Sequence, residues 1–378
     1  MDELDLSFSV TFRHHILFTE DALAPSNPCL ARLMGGAKVL CVVDAGLVAA
    51  NPGLVTGLLA RGLNLTRPPL VLPGGEACKH DPAAIEALTT AIAEDGICRH
   101  SFVLAIGGGA FLDLVGYVAA TAHRGVRLVR MPTTTLGQAD AGVGVKNAVN
   151  AQGRKNFTGT FAPPFAVVND LSLLTTLPLR LRREGLVEAV KVALLKDAAF
   201  LAALEQDASA LARGDLPAIG RAVRRSAELH ARHIAEGGDP FELGSARPLD
   251  LGHWAAHRLE VLSAHRLSHG EAVAIGLALD VLVARDLGHL AAPEAERVLA
   301  LLRTLGFELW DELLGAEDSV PLLAGLDEFR EHLGGELTLV LPLAPGRSTQ
   351  IHALPAARVR AAVADLRARA HAPCAARS

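Results

Sequence analysis

The stretch IGGGAFLDLVG, Ile106–Gly116, decides the reading of the fold. Together with the SFVLA that precedes it, an apolar run suited to a buried strand enters three glycines and then a segment with helical spacing of its apolar residues. Glycines there let an anionic ligand approach the backbone, and the N-terminus of the next helix offers N–H groups to its charge. The spacing is not GxGxxG, and three glycines serve equally as a tight strand-to-helix connection. Both readings stay open on this motif alone.

Working outward, the same rhythm recurs between Lys38 and Asp170 in KVLCVVD, PLVLPGG, VRLVRMPTTT and FAVVND, each followed by small or polar residues. Alternation with helix-like segments predicts parallel strands joined by crossover helices, with ligands taken at the strands' carboxyl ends. Asp44 closes the first of these runs, where it could accept from an adenosine ribose or simply cap a helix. After about Leu173 the texture becomes Ala/Leu/Arg-rich, as in RREGLVEAVKVALLKDAAFLAALEQ and PAIGRAVRRSAELHARHIAEG, and helices are expected. A short strand is expected in ELTLVLPL, and a helix from Leu354 to about Pro373. The class is therefore α/β plus α, with domains at 1–173 and 174–378.

Composition bounds the function. The 378 residues are half apolar and carry a net charge of −5 with both signs interspersed, which points away from nucleic acid and lipid surfaces. Five cysteines, scattered and without a CxxC pair, argue against a disulfide framework or a thiolate metal site and fit a reducing compartment. MDELDLSFSVTFRHH lacks the basic-then-apolar order of a signal peptide, and the chain has no apolar run of about 18 residues. A cytoplasmic protein acting on a small molecule is expected.

Two further segments carry chemistry. The run from Arg130 to Phe161 sets Thr, Asp, Lys and Asn among glycines and reads as too polar for a core. Its Lys146 and Lys155 could be ordinary solvated lysines, but with Asn156 and a glycine-rich backbone they suit a phosphorylated ligand. LDLGHWAAHRLEVLSAHRLSHGEAVAIG, Leu249–Gly276, holds His253, His257, His265 and His269 in two pairs four apart, each expected to share a helix face. A histidine on an apolar helix is more often structural than a ligand. A catalytic zinc, however, takes three N/O ligands and an open position, and REGLVEAVK supplies Glu184, Glu188 and Lys191 nearby in pattern. Spacing alone does not choose among these candidates.

Taken in order, PGGEACK, IGGGAFLDLVG, RGVRLVRMPTTTLGQADAGVGVK, GRKNFTGTF, TTLPLRLRREGLVEAVK, GHWAAH and SHGEAVAIG resemble the sugar phosphate cyclase superfamily, whose best-known member is 3-dehydroquinate synthase. The resemblance runs from Asp44 to about Leu341. It implies a Rossmann-like NAD-binding domain and a mainly helical C-terminal domain holding a divalent metal, zinc or another such as cobalt, usually in a homodimer. Carried over, Glu188, His253 and His269 become metal ligands. Asp44, Glu76, Lys79, Gly108, Gly109, Asp113, Thr133, Thr134 and Lys155 fall around NAD. Asp140 and Lys191 contact substrate hydroxyls, and Arg124, Lys146, Asn156 and His257 hold its phosphate, Arg124 from across the dimer. His265 receives no role. The implied chemistry is transient oxidation by NAD, elimination of phosphate, return of the hydride, ring opening and intramolecular aldol closure.

Around the first histidine the chain departs from 3-dehydroquinate synthase. That enzyme carries an arginine seven residues upstream and an asparagine three upstream; here they are Ala246 and Asp250, and Arg232 stands where a substrate lysine is expected. Losing a cation and gaining an acid disfavours a carboxylate-bearing substrate. Sedoheptulose 7-phosphate fits the change, and DAGVGVKNAVN and RPLDLGHWAAH resemble the 2-epi-valiolone synthase branch. The competing readings are 3-dehydroquinate synthase itself, an alcohol dehydrogenase of the glycerol dehydrogenase type, and an inactive sugar-phosphate-binding protein. The second leaves the Lys146/Lys155/Asn156 cluster unexplained, and the third is disfavoured by a complete ligand set.

Overall fold

The computed structural model describes residues 3–152, 154–244 and 247–372. The chain forms two compact units, Met1–Thr133 with Val145–Ser172, and Thr134–Gly144 with Leu173–Ser378. The segment 134–144 groups with the second unit.

The first unit is built on a six-stranded sheet in the order β1-β8-β5-β4-β2-β3, every neighbouring pair parallel. Its strands are β1 (His15–Thr19), β2 (Val39–Asp44), β3 (Leu70–Leu72), β4 (Phe102–Gly107), β5 (Arg127–Pro132) and β8 (Ala166–Asp170). All of β4 and β8 is buried, as expected for continuous apolar runs covered on both faces. Helices α1 (Cys29–Met34), α2 (Ala45–Ala50), α3 (Leu54–Ala60), α4 (Pro82–Glu94) and α5 (Gly109–Thr121) make the connections. The chain runs outward from β2 to β3 and then resumes at β4 on the other side of β2. The strand order thus reverses between β2 and β4, and their carboxyl ends, Asp44 and Gly107, flank the crevice where such sheets take ligands.

The run 130–161 is not the open polar segment that its composition suggests. It folds into an antiparallel ribbon of β6 (Lys146–Ala151) and β7 (Arg154–Phe161), and Asn147 and Asn150 are buried in it. Asn147 is satisfied there: it accepts from the buried Arg130 at 2.6 Å and donates to the Ala162 carbonyl at 3.2 Å. Gly116 in α5 makes this packing possible, since a Cβ on it would sit 1.7 Å from Asn147 Oδ1. Composition misleads here because hydrogen bonds, not apolar contacts, bury these residues.

The second unit contains α6 (Leu179–Glu184), α7 (Leu186–Lys196), α8 (Ala198–Ala212), α9 (Leu216–Glu236), α10 (His253–Leu262), α11 (His269–Asp286), α12 (Ala292–Thr304), α13 (Val320–His332) and α14 (Ala356–His371). The run expected in ELTLVLPL is β9 (Leu339–Ala344), which pairs antiparallel with β10 (Arg347–Ile351). Helix α11 is apolar on nearly every face and buried from Gly270 to Ala284 with the exception of Glu271, which marks it as the core helix of the unit. Its start is fixed by a capping box, in which Ser268 accepts from the Glu271 N–H and Glu271 accepts from the Ser268 N–H. Among the described residues no helix is long and apolar enough to cross a membrane.

Candidate functional site

In the second unit α7, α10 and α11 bring Glu188, His253 and His269 together, with ligand atoms within 4.8 Å of one another. Glu188 is fully enclosed, and its Oε1 lies 3.8 Å from His253 Nε2 and 3.7 Å from His269 Nε2. Donors about 2.0–2.2 Å from a tetrahedral zinc stand roughly 3.3 Å apart, so the three atoms are near the spacing that such an ion requires. The Glu188 carboxylate is buried with no hydrogen bond from the backbone, so charged or metal partners must balance it. Lys191, one turn along α7, is ion-paired with Oε2 and leaves Oε1 toward the histidines.

What lies behind the histidines fixes which nitrogen they present. His253 Nδ1 is 3.2 Å from the Leu251 carbonyl, and His269 Nδ1 is 3.3 Å from Glu260 Oε2. Each Nδ1–H then donates outward and each Nε2 lone pair is left for an ion, the usual arrangement behind metal-bound imidazoles. His257, Glu260 and His269 form a second cluster of comparable span. The first set fits better, because Glu260 engages His269 through Nδ1 and is thereby a support. His257 joins the group by ring contacts, its centroid 5.4 Å from His253 and 6.1 Å from His269.

His265 and His269 do not share a helix face: α10 ends at Leu262, and His265 lies in the connecting turn, exposed, at φ 60°. Asp140, on a short π-helical turn at Gly137–Ala141, meets an unforeseen partner, His230 of α9, with Oδ1 2.6 Å from Nδ1. Arg232 is two-thirds exposed and paired with Glu236 at 3.7 Å. Ala246 lies outside the described residues. The adjacent Arg247 is committed to Glu242 and to the Gly244 carbonyl.

The electrostatics of this cluster favour separated charges. Burial works against the Asp140 and Glu188 carboxylates, but His230 and Lys191 for the first and Lys191 for the second outweigh it, and both titrate below the usual carboxylate range. Burial works against the Lys191 ammonium too, yet Glu188 and Asp140 raise it above an ordinary lysine. Asp250 adds negative charge at both Lys191 and His253.

In the first unit the expected nucleotide residues follow the carboxyl ends of the strands. Asp44 Oδ1 accepts from the Gly46 N–H, so it does cap α2, while its Oδ2 lies where a Cβ on Gly74 would come within 1.9 Å. Gly108 caps α5 with no side-chain hydrogen bond, leaving that helix start to a ligand's negative charge. Behind it the buried Lys79 is ion-paired with Asp113 at 2.9 Å and bonded to Asn156. Asn150 donates to Glu76 at 3.0 Å, contacts His80 and accepts from the Asn156 N–H. Asn156 thus belongs with Lys79, Asp113 and Asn150. Thr133 donates its N–H to the Gly107 carbonyl; Thr134, which groups with the second unit, accepts from the Gly137 N–H. Lys146 and Arg124 are exposed, Arg124 at φ 61°, and Lys155 is half-buried on β7.

Sequence reading missed His230, Glu260, Asn150 and His80. Of these only Glu260 left a trace, seven residues after His253 and so on the same face of α10.

Comparison with known proteins agrees with this architecture. The family model described as 3-dehydroquinate synthase N-terminal matches residues 69–184, and that described as 3-dehydroquinate synthase C-terminal matches 185–325. The chain belongs to the 3-dehydroquinate synthase family, within the sugar phosphate cyclase superfamily. Among solved structures it is similar to 2-epi-5-epi-valiolone synthase from Streptomyces hygroscopicus subsp. jinggangensis 5008, which was solved with NAD+ and Zn2+ bound. The TM-score is 0.88 and the identity 29%, over 97% of this chain and 100% of that one. A 2-deoxy-scyllo-inosose synthase complexed with carbaglucose-6-phosphate, NAD+ and Co2+ matches at TM-score 0.71 and 20% identity, over 93% and 96%. A probable glycerol dehydrogenase from Sinorhizobium meliloti 1021 matches at 0.63 and 20%, over 95% and 98%. These last two share the fold.

Proposed function

We propose that the protein converts sedoheptulose 7-phosphate to a C7 cyclitol, 2-epi-valiolone, with release of phosphate. The observation that carries this reading is the enclosed Glu188, His253 and His269 set with Lys191 and Asp140 beside it, in a chain similar over its whole length to a 2-epi-5-epi-valiolone synthase. Glu188 Oε1 and the two Nε2 atoms would hold a divalent metal, zinc or cobalt, and the residues around Asp44 and Gly108 would hold NAD. When bound, these groups supply Lewis-acid polarisation of a hydroxyl and reversible hydride transfer.

The chain's own residues do the rest. Lys191 keeps its proton and so donates to a substrate oxygen, while Asp140 stays ionised and accepts from a substrate hydroxyl. Lys146, Asn156, His257 and Arg124 are assigned to the phosphate, Arg124 in a homodimer of a cytoplasmic enzyme. Holding both ends of an opened chain in one site favours ring closure over diffusion apart.

Asp250 supports a substrate without a carboxylate. It already places negative charge beside Lys191 and His253, and Arg247, the nearest candidate counter-ion in sequence, is committed elsewhere. A second carboxylate there would be buried without a partner. The likeness to the Streptomyces enzyme favours a second reading, 2-epi-5-epi-valiolone, from the same substrate.

The test is phosphate release by purified protein with NAD+ and zinc, offered sedoheptulose 7-phosphate or 3-deoxy-arabino-heptulosonate 7-phosphate. Release from the first alone, with NMR assignment of the ring configuration, establishes the reading and chooses between the two products. Release from the second alone would make the protein a 3-dehydroquinate synthase.

A further inference from the structure

Beside the start of α11 lies a cavity of ≈ 440 Å³, formed entirely within the second unit by α6, α11 and the segments that precede α11 and follow α12. That volume is in the range that takes small organic ligands. Leu179, Leu267, Ile275, Phe307 and Trp310 give it an apolar, partly aromatic lining. None of Asp140, Glu188, Lys191, His253 and His269 is among its described lining residues.

Its charged groups are all but one accounted for. Arg180 holds Glu271 through two hydrogen bonds of 2.8 and 2.6 Å, and Arg266 holds Asp311 at 2.7 Å. Arg183 directs two N–H groups to the carbonyl of Ala212, the last residue of α8, where the helix end attracts a cation. Glu308 is exposed, so solvent screens it. Glu184 is different: it is only 8% exposed, and its Oε1 is buried without a hydrogen-bond partner. Burial pushes its carboxyl up, and the Ser268 hydroxyl and the Arg180 charge offset that only in part.

We infer that this cavity binds a small organic ammonium ion, with Glu184 as its counter-ion and the aromatic lining around its apolar body. A buried carboxylate without a partner is costly, and a cation carried in by a ligand removes that cost. An anion does not suit the cavity, because the Arg180 and Arg266 guanidiniums already carry carboxylates and Arg183 is held by α8. A neutral donor would satisfy Oε1 and leave the charge unbalanced. Phe307 and Trp310 add to the preference, since aromatic faces attract cations. Such a ligand is chemically unlike a sugar phosphate, whose anionic group Glu184 would repel.

Benzylammonium, a cation on an apolar ring with about eight non-hydrogen atoms in all, is the probe. Titration calorimetry of the full chain at neutral pH should show one site with Kd of about 1 mM or tighter. The chain has two tryptophans; Trp310 lines the cavity, whereas Trp254 does not and is 1% exposed. Tryptophan emission should therefore change on binding, and Trp310→Phe should remove the change while the heat remains. Benzyl alcohol, which keeps the ring and replaces the ammonium by a neutral donor, should bind the parent about 10–100-fold more weakly. Glu184→Gln should weaken benzylammonium by the same factor and leave benzyl alcohol unaffected, which reports an intact cavity. Glu188→Gln should leave benzylammonium binding unchanged. Absence of saturable heat, equal affinity for amine and alcohol in the parent, undiminished affinity in Glu184→Gln, or loss of binding in Glu188→Gln would each overturn the inference. The first two outcomes are read on the parent chain alone, so they stand even where a variant fails to fold.

Discussion

At the scale of single residues, two of the candidate site residues, His269 and Asp140, meet neighbours that the sequence does not announce. Glu260 orients His269 by accepting at Nδ1, so Glu260→Ala should weaken metal affinity about 10–100-fold with the three ligands intact. Competition against a chelator measures this without any turnover; unchanged affinity would leave Glu260 with no supporting role. His230 bears on Asp140 in the same way. Removing a hydrogen bond to a charged group costs about 1.5–3 kcal/mol, so His230→Leu should lower kcat/KM for the phosphorylated sugar about 10–100-fold. His230→Asn, which can place an N–H near Nδ1, should recover part of that loss. Equal loss in both variants would reduce His230 to packing. The candidate ligands were visible in the sequence as residue types, and their choice came from resemblance. Geometry supplies what spacing could not, because Glu260 and His269 are nine residues apart across a turn, and Asp140 and His230 are ninety.

At the scale of elements, the crossing of α10 and α11 sets where His253 stands. Gly252 sits at φ 79°, and a Cβ on Gly276 would come within 2.1 Å of its carbonyl oxygen. The two glycines let the helices approach backbone to backbone, and Asp280 fastens the junction by accepting from the Gly252 N–H at 2.7 Å and from Trp254 Nε1 at 2.9 Å. Gly276→Ala should therefore cost about 1–3 kcal/mol, measured by urea unfolding, and loosen metal binding with it. Burial holds the Asp280 carboxyl up at about 7, against the pull of those two hydrogen bonds, whereas it titrates near about 3.9 when unfolded. Between these values the folded chain binds a proton that the unfolded chain does not. Asp280 therefore favours folding at low pH, and this contribution is lost as pH rises from about 4 through 7. Relative to the parent, Asp280→Asn should be more destabilising at pH 5 than at pH 8; a constant difference would mean that Asp280 does not titrate in this range. Elements of this kind were legible where apolar periodicity was strong, as in β2, β4, β5 and β8. The β6/β7 ribbon escaped because its buried asparagines look like loop residues until their partners are known. Strand β1 escaped because HILFT follows a longer alternating run with no turn residue to part them.

At the scale of the molecule, the proposed metal set lies in the second unit and the residues around Gly108 in the first, so the two assignments can be tested by different ligands. A ligand stabilises only the fold that binds it, by about 2.7 kcal/mol at a hundred times its Kd. Glu188→Gln replaces the only acid of the metal set by a neutral amide, so it should abolish the zinc-dependent rise in unfolding midpoint and leave the NAD-dependent rise intact. Gly108→Asp, placing an acid at the start of α5 where a ligand's anionic group is expected, should do the reverse. Thermal scans of the parent and both variants, with each ligand alone, give the four informative differences. Loss of both rises in one variant would show a shared site or general unfolding. Persistence of the zinc rise in Glu188→Gln would instead move the metal to the alternative cluster of His257, Glu260 and His269, where Glu260 would become a ligand and its removal would cost the ion outright.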